Sequence, residues 1–312
     1  MVKTQKTIGV ILMTYGSPLT PEDVPEYIKK VYRGKTLEGS IIEEFQRRYR
    51  LIGGSPLIRI TKNQARALEV LLNTDNNDDT LYIVTAGMRF SEPFIYDVAN
   101  EMASEVSHII GIIMSPQYSS IIMKGYVDSL DVALRDTSIK YSVVAEWYDN
   151  PYFVKAVSER VNQALDKYPK GIQNNIKILF SAHSMPKRIV DKEPYYIDHL
   201  KKTASSIAIE SGLNKKQWMF CYQSAGHTQE EWLKPDFADV MPQLKSQGIS
   251  HILIAPIQFL SDHLETLYDI EIAARKQAEQ YGIFFKRIES LNTSPLFIKT
   301  LSDVVHHANK QL

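Results

Sequence analysis

The chain has 312 residues, 36 Lys plus Arg against 36 Asp plus Glu, a formal net charge of zero and a pI near 7.1. Apolar residues at 44% and charged residues at 23% exclude a disordered chain, and the zero balance excludes a general basic field for coating nucleic acid. The one cysteine, Cys221, cannot form an intramolecular disulfide, a cysteine zinc site or a four-cysteine iron–sulfur cluster. Met1-Val2-Lys3-Thr4-Gln5-Lys6 carries no long apolar stretch and no small-residue cleavage site. Neither a signal peptide nor a membrane span is expected there, and the protein is expected to be cytoplasmic.

In chain order, short apolar runs alternate with longer helical patterns, the rhythm of βα units around parallel sheets. Strands are predicted at 8–14, 81–85, 108–114, 140–145, 176–181, 217–222, 252–255 and 284–287. Helices are predicted at 22–32, 40–51, 63–72, 93–106, 121–134, 151–168, 198–212, 235–247, 264–281 and 295–312. The strands divide four and four about Asp149-Asn150-Pro151, giving lobes 1–150 and 151–312, and the C-terminal helix is expected to pack back on the first lobe. The predicted class is α/β: two similar Rossmann-like lobes, each with a four-stranded parallel sheet flanked by helices, around a central cleft. Weak echoes favour a repeat. Tyr15-Gly16-Ser17-Pro18 follows the first strand much as His183-Ser184-Met185-Pro186 ends the fifth.

Three stretches could carry chemistry. In the first, a buried strand delivers His183 to its C-terminal end, between Ser181 and Ser184 and ahead of Pro186. That placement suits a metal ligand or a general base, and equally a histidine bonded to the next loop. The second runs from Ser261 through Asp262, His263, Glu265 and Asp269 to Glu271. As a helix from about Ser261, it puts Asp262, Glu265 and Asp269 on one face, with no lysine or arginine between Asp262 and Glu271. Like charges so spaced destabilise a helix, and a path for a divalent cation is one reason to keep them. A solvated helix start would explain Asp262 alone. His263, two positions from Glu265, is expected to diverge from it.

The third stretch, 29–59, holds eight Lys or Arg against three Glu, accompanied by Tyr27 just before it and by Tyr32, Phe45 and Tyr49 within it. The turn Gly53-Gly54-Ser55 follows the last of these aromatics. Arginine and turn amides suit carboxylates or phosphates, and tyrosine faces suit a flat ring. A charge-mixed surface helix is the structural alternative. No Walker loop, dinucleotide glycine motif or nucleophile elbow occurs. Tyr222-Gln223-Ser224-Ala225-Gly226-His227, with Trp232 beyond it, reads as another strand-end loop, in which Trp232 is assigned to packing.

Phe180-Ser181-Ala182-His183-Ser184-Met185-Pro186, Tyr222-Gln223-Ser224 with Trp232-Leu233-Lys234-Pro235, and Ser261-Asp262-His263-Leu264-Glu265-Thr266-Leu267-Tyr268-Asp269 resemble the ferrochelatases. Segments 13–18, 49–57, 87–94 and 146–149 extend the resemblance over nearly the whole chain, in order. It implies two Rossmann-like lobes around a porphyrin and insertion of ferrous iron into the macrocycle. Carried over by position, it makes His183 and Glu265 the metal-site pair and continues the acidic path to Asp269. It makes Tyr15, Tyr32, Arg48, Tyr49, Ser55 and Tyr126 porphyrin contacts. Tyr15 is similar to the tyrosine that faces the metal in the coproporphyrin-using branch of Gram-positive bacteria.

The implied substrates are therefore coproporphyrin III and ferrous iron, and the implied product is Fe-coproporphyrin III (coproheme) in haem biosynthesis. No cofactor beyond the substrate iron, no iron–sulfur cluster, no nucleic-acid partner, no membrane span and a monomeric state are expected. Three positions depart from the family pattern: Tyr32 stands where relatives often have arginine, Lys192 opens a turn that usually reads Gly-Asp-Pro-Tyr, and Ala273 replaces a further glutamate. The alternatives are a protoporphyrin ferrochelatase, a cobalt or sirohydrochlorin-type chelatase, and a tetrapyrrole-binding protein without catalysis.

Overall fold

The computed structural model describes residues 6–35, 37–75, 79–226 and 230–311. They form two compact units, one holding the residues up to Trp147 and those from Asn292 on, the other spanning Tyr148–Leu291. Asn150 explains why the chain restarts beside this cut. Its side-chain oxygen accepts from the N–H groups of Tyr152 and Phe153, at 3.0 and 3.2 Å, and Pro151 occupies the first helical turn. That is an N-cap followed by the one residue that loses nothing by lacking an N–H there.

In the first unit, β1 (Thr7–Thr14), β2 (Leu81–Met88), β3 (His108–Ile113) and β4 (Lys140–Val144) form a wholly parallel sheet in the order β2-β1-β3-β4. Its helices are α1 (Val24–Val31), α2 (Gly39–Leu51), α3 (Leu57–Thr74), α4 (Ile95–Met102) and α5 (Ser120–Leu134). β1 and β3 read as unbroken apolar runs because both faces of the sheet are covered: every residue of β3 and all but the first of β1 are buried.

In the second unit, β5 (Lys177–His183), β6 (Trp218–Gln223), β7 (His251–Pro256) and β8 (Phe284–Arg287) repeat the arrangement, again parallel, as β6-β5-β7-β8. The helices here are α6 (Pro151–Asp166), α7 (Lys170–Gln173), α8 (Lys187–Val190), α9 (Pro194–Glu210), α10 (Phe237–Ser246), a π helix (Glu265–Ala274) and α11 (Arg275–Gln280). The last helix, α12 (Pro295–Asn309), belongs to the first unit and packs on α3.

All eight predicted strands form, and the identical strand order turns the weak sequence echo into a repeated topology. Each sheet grows first to one side of its opening strand and then to the other, so β1/β3 and β5/β7 are switch points. Loops leaving the carboxyl ends of such a strand pair part in opposite directions and open a crevice. Two short helices, α7 and α8, escape sequence reading because four residues leave no period to detect.

The main difference lies at 261–274. The expected α-helix from Ser261 is instead a π helix from Glu265, with loop before Leu264. Its row Thr266, Ile270, Ala274 is buried at 0–1% exposure, and Ile270 and Ala274 join the core of β5, β7 and α10. With i→i+5 hydrogen bonds, side chains four apart in a π helix still share one face, so this row can stay on one core. Glu265 and Asp269 therefore stay aligned beside that buried row. Among the described residues, no helix is long and apolar enough to cross a membrane.

Candidate active site

His183 ends β5, beside Gln223 at the end of β6, and β5 pairs on its other side with β7 at the switch point. Its backbone N–H donates to Gln258 Oε1 at 3.0 Å, and Gln258 Nε2 donates to the Tyr196 hydroxyl at 2.8 Å. Burial pushes the Tyr196 phenol well up, so it stays neutral. Beneath, Ser181 Oγ donates to Gln223 Oε1 at 2.6 Å. The strand end is thus tied on both sides.

The His183 ring is set by its neighbour. Nδ1 contacts the Ser184 carbonyl, which can only accept, so Nδ1 carries the proton and Nε2 presents its lone pair. That Nε2 lies 3.8 Å from Glu265 Oε2. His263 repeats the device: Nδ1 is 2.9 Å from the Ser261 carbonyl, and Nε2 is 4.0 Å from the same Glu265 oxygen. Glu265 Oε2 is buried with no hydrogen-bond partner. Two imidazole lone pairs and an unsatisfied carboxylate oxygen face one another, an arrangement completed by a proton or a cation.

Nitrogen and oxygen ligands bind a zinc-like dication at about 2.0–2.2 Å, so two ligands of one ion lie within about 4.2 Å. Both separations fall inside that reach. Among the described residues, no three His, Cys, Asp or Glu close tightly enough to cage an ion unaided. The geometry suits an ion that takes other ligands as well.

The acidic strip is shorter than the sequence implies. Asp262 precedes the helix and pairs with Arg287 at 3.2 Å, and Ser290 Oγ donates to it at 2.7 Å. Glu271 pairs with Arg275, and with Arg287 at 3.3 Å. The neutralising arginines come from after the strip, which is why no scan within 262–271 finds them. Glu265 lies between these neutralised carboxylates, and Asp269 Oδ2 accepts from Ser224 Oγ at 2.6 Å. Ser224 adopts a left-handed backbone (φ 56°), a strained conformation for a non-glycine that aims its hydroxyl at the helix. His263, expected to diverge from Glu265, approaches it because it lies in the loop before the helix. Trp232 is a packing residue, since its ring fills the space a side chain at Gly226 would need, 2.5 Å from the Cβ position. His227 lies outside the described residues.

In the first unit, Tyr15 follows β1 at the position matching His183 and meets Phe90 edge-to-face, centroids 4.6 Å apart. The Arg89 guanidinium lies 4.7 Å from the Phe90 ring centre and 5.7 Å from that of Tyr126. Gly125 makes this possible, because a Cβ there would come within 2.0 Å of the guanidinium. Tyr126 is buried, which raises its phenol pKa well above the usual value. The result is a cation-on-aromatic surface at the carboxyl ends of β1 and β2. Sequence reading named Tyr15 and Tyr126 but not Arg89 or Phe90 as contacts; their place directly after an apolar strand was the available signal.

Of the remaining predicted contacts, Tyr49 is buried and Tyr32 is exposed at the end of α1. Ser55 follows Gly53 and Gly54, whose positive φ values end α2, and its Oγ accepts from the Leu57 N–H at 3.4 Å. Arg48 is engaged by Glu44, Nε to Oε1 at 2.8 Å, and Arg47 holds the other oxygen at 2.6 Å. These two guanidiniums hold Glu44 down to about 2.

The ferrochelatase family model matches residues 7–309. This chain belongs to the ferrochelatase family. It is 35% identical over 305 residues to a ferrochelatase of Deinococcus radiodurans, covering 96% of each chain. It is 34% identical over 309 residues to a coproporphyrin III ferrochelatase of Geobacillus kaustophilus, covering 98% of this chain and 96% of that one. Among solved structures, SirB from Bacillus subtilis with Fe3+ superposes with a TM-score of 0.59 at 13% identity, over 97% of this chain and 95% of that one. That likeness concerns the fold, and it extends the two-sheet architecture of this ferrochelatase-family chain to proteins of very different sequence.

Proposed function

We propose that this protein inserts ferrous iron into a porphyrin, and that its porphyrin is coproporphyrin III, giving coproheme. The observation carrying the proposal is the buried, unpartnered Glu265 Oε2 facing the Nε2 atoms of His183 and His263. Metalation requires two pyrrole N–H protons to leave while iron exchanges water for ring nitrogens. His183 and Glu265 would ligate the incoming ion or accept a ring proton, tasks suited to a neutral imidazole lone pair and a carboxylate held ready in place. Asp269, one turn along and steadied by Ser224, would pass charge onward. Rim contacts that hold the ring buckled would expose the in-plane lone pairs, using binding energy remote from the reacting nitrogens.

Family membership supports the metal-insertion part. Tyr15 at the end of β1, and several relatives named coproporphyrin III ferrochelatases, support the substrate. The two porphyrins differ at the rim, four propionates against two propionates and two vinyls. Steady-state kinetics with both under anaerobic Fe²⁺ decide between them. A higher kcat/KM for coproporphyrin III is expected. A preference for protoporphyrin IX would overturn the substrate assignment, and failure to insert iron into either ring would overturn the reaction.

A further inference from the structure

Arg287, the last residue of β8, is only 11% exposed at its side chain, and each nitrogen of its guanidinium is engaged. Nη2 meets Asp262 at 3.2 Å, and Nε donates to Glu271 at 3.3 Å. Nη1 donates to the Ile288 carbonyl at 3.1 Å and to Ser290 Oγ at 3.0 Å. Ser290 Oγ in turn donates to Asp262, closing a ring of contacts.

The two carboxylates bracket the functional segment. Asp262 lies just before the π helix and Glu271 lies within it, with His263, Glu265 and Asp269 between them. One rigid fork therefore fixes both ends of the stretch that presents Glu265 to His183. A π helix is rare and occurs mostly as a single turn inside an α-helix, so a strap across this longer one is a physical means of holding the wider turn. It also neutralises Asp262 and Glu271, the carboxylates on either side of Glu265.

We propose that Arg287 is a positioning residue for metal insertion, acting through Asp262 and Glu271 to hold Glu265 within ligand-sharing distance of His183. The inference rests on the metal-insertion reading above. A misplacement of about 1 Å at a reacting group can cost about 10²-fold in rate. Lysine keeps the charge but presents one point donor instead of a planar fork, so it can satisfy one carboxylate and not both.

The test compares wild type, Arg287→Lys and Glu271→Gln, the last retaining the Arg287–Asp262 contact and hence the fold. Each is assayed for kcat, for KM toward porphyrin and for Zn²⁺ affinity by calorimetry without porphyrin. Both variants are expected to lose about tenfold or more in kcat and to bind Zn²⁺ correspondingly more weakly, with porphyrin KM within about twofold of wild type. A purely structural role would lower the melting temperature while leaving kcat and Zn²⁺ affinity of the folded protein unchanged, and that result overturns the proposal. If wild type itself neither inserts iron nor binds Zn²⁺, the metal-insertion reading falls and this inference with it. If wild type inserts iron and the variants match it, this inference alone falls.

Discussion

Replacing Glu265 by glutamine keeps the side chain's length and removes its charge. Because Oε2 has no hydrogen-bond partner, the substitution breaks no hydrogen bond at that atom, and stability should change by less than about 1 kcal/mol. The electrostatic loss is larger. Once His183 has accepted a ring proton, its imidazolium and the carboxylate are opposite unit charges 3.8 Å apart, which attract by about 4 kcal/mol at an effective dielectric near 20. Both side chains are about a third exposed, so solvent screening reduces that to about 3 kcal/mol, or about 10² in rate. Asp262→Asn should behave oppositely. It weakens a contact to the mostly buried Arg287, costing about 1–3 kcal/mol and several degrees in Tm, while kcat falls by about tenfold through the weakened strap, less than in Glu265→Gln. Anaerobic turnover followed at the Soret band, paired with thermal denaturation, reads both effects. Equal losses of kcat in the two variants, or a larger loss for Asp262→Asn, would refute the separation of Glu265 from its neutralised neighbour.

His183→Ala should abolish metalation yet leave folding and porphyrin binding intact, because the ring's contact is to its own neighbour's carbonyl; fluorescence quenching by titrated porphyrin checks the binding. Glu44→Gln should lower KM for the four-propionate porphyrin more than for the two-propionate one, since it removes the carboxylate that competes for Arg47 and Arg48. The same residue predicts a pH effect. Its folded pKa of about 2 lies below the ordinary 4.5, so its stabilisation is present above pH 4.5 and is lost as pH falls toward 2. Acid denaturation of Glu44→Gln should lack that increment. The single cysteine is buried in β6, and the purified protein should show no iron–sulfur absorption; a visible cluster would require thiols from another chain.

Strand number and both strand-end motifs were legible because parallel strands buried on two faces are apolar runs closed by turn residues, as in 8–14 and 252–256. His183 was legible for the same reason: a histidine after such a run stands at a strand's carboxyl end. The acidic segment was misread where the information lies elsewhere in the chain. Nothing local to Asp262 announces Arg287, and α- and π-helical turns share one composition, so the wider turn and the approach of His263 to Glu265 follow from tertiary contacts. Arg89 was missed because its partner surface is made by Phe90, Tyr126 and the space at Gly125, which no spacing rule connects.

The central claim is that the site turns over and does not merely bind a tetrapyrrole. Enzyme at about a hundredth of the porphyrin concentration, mixed anaerobically with Fe²⁺ and coproporphyrin III, tests it directly. Conversion of the free-base Soret band to that of the iron complex over many equivalents per protein, abolished in His183→Ala, is the predicted result. Spectral change that stops at one equivalent, or proceeds equally in His183→Ala, would contradict it.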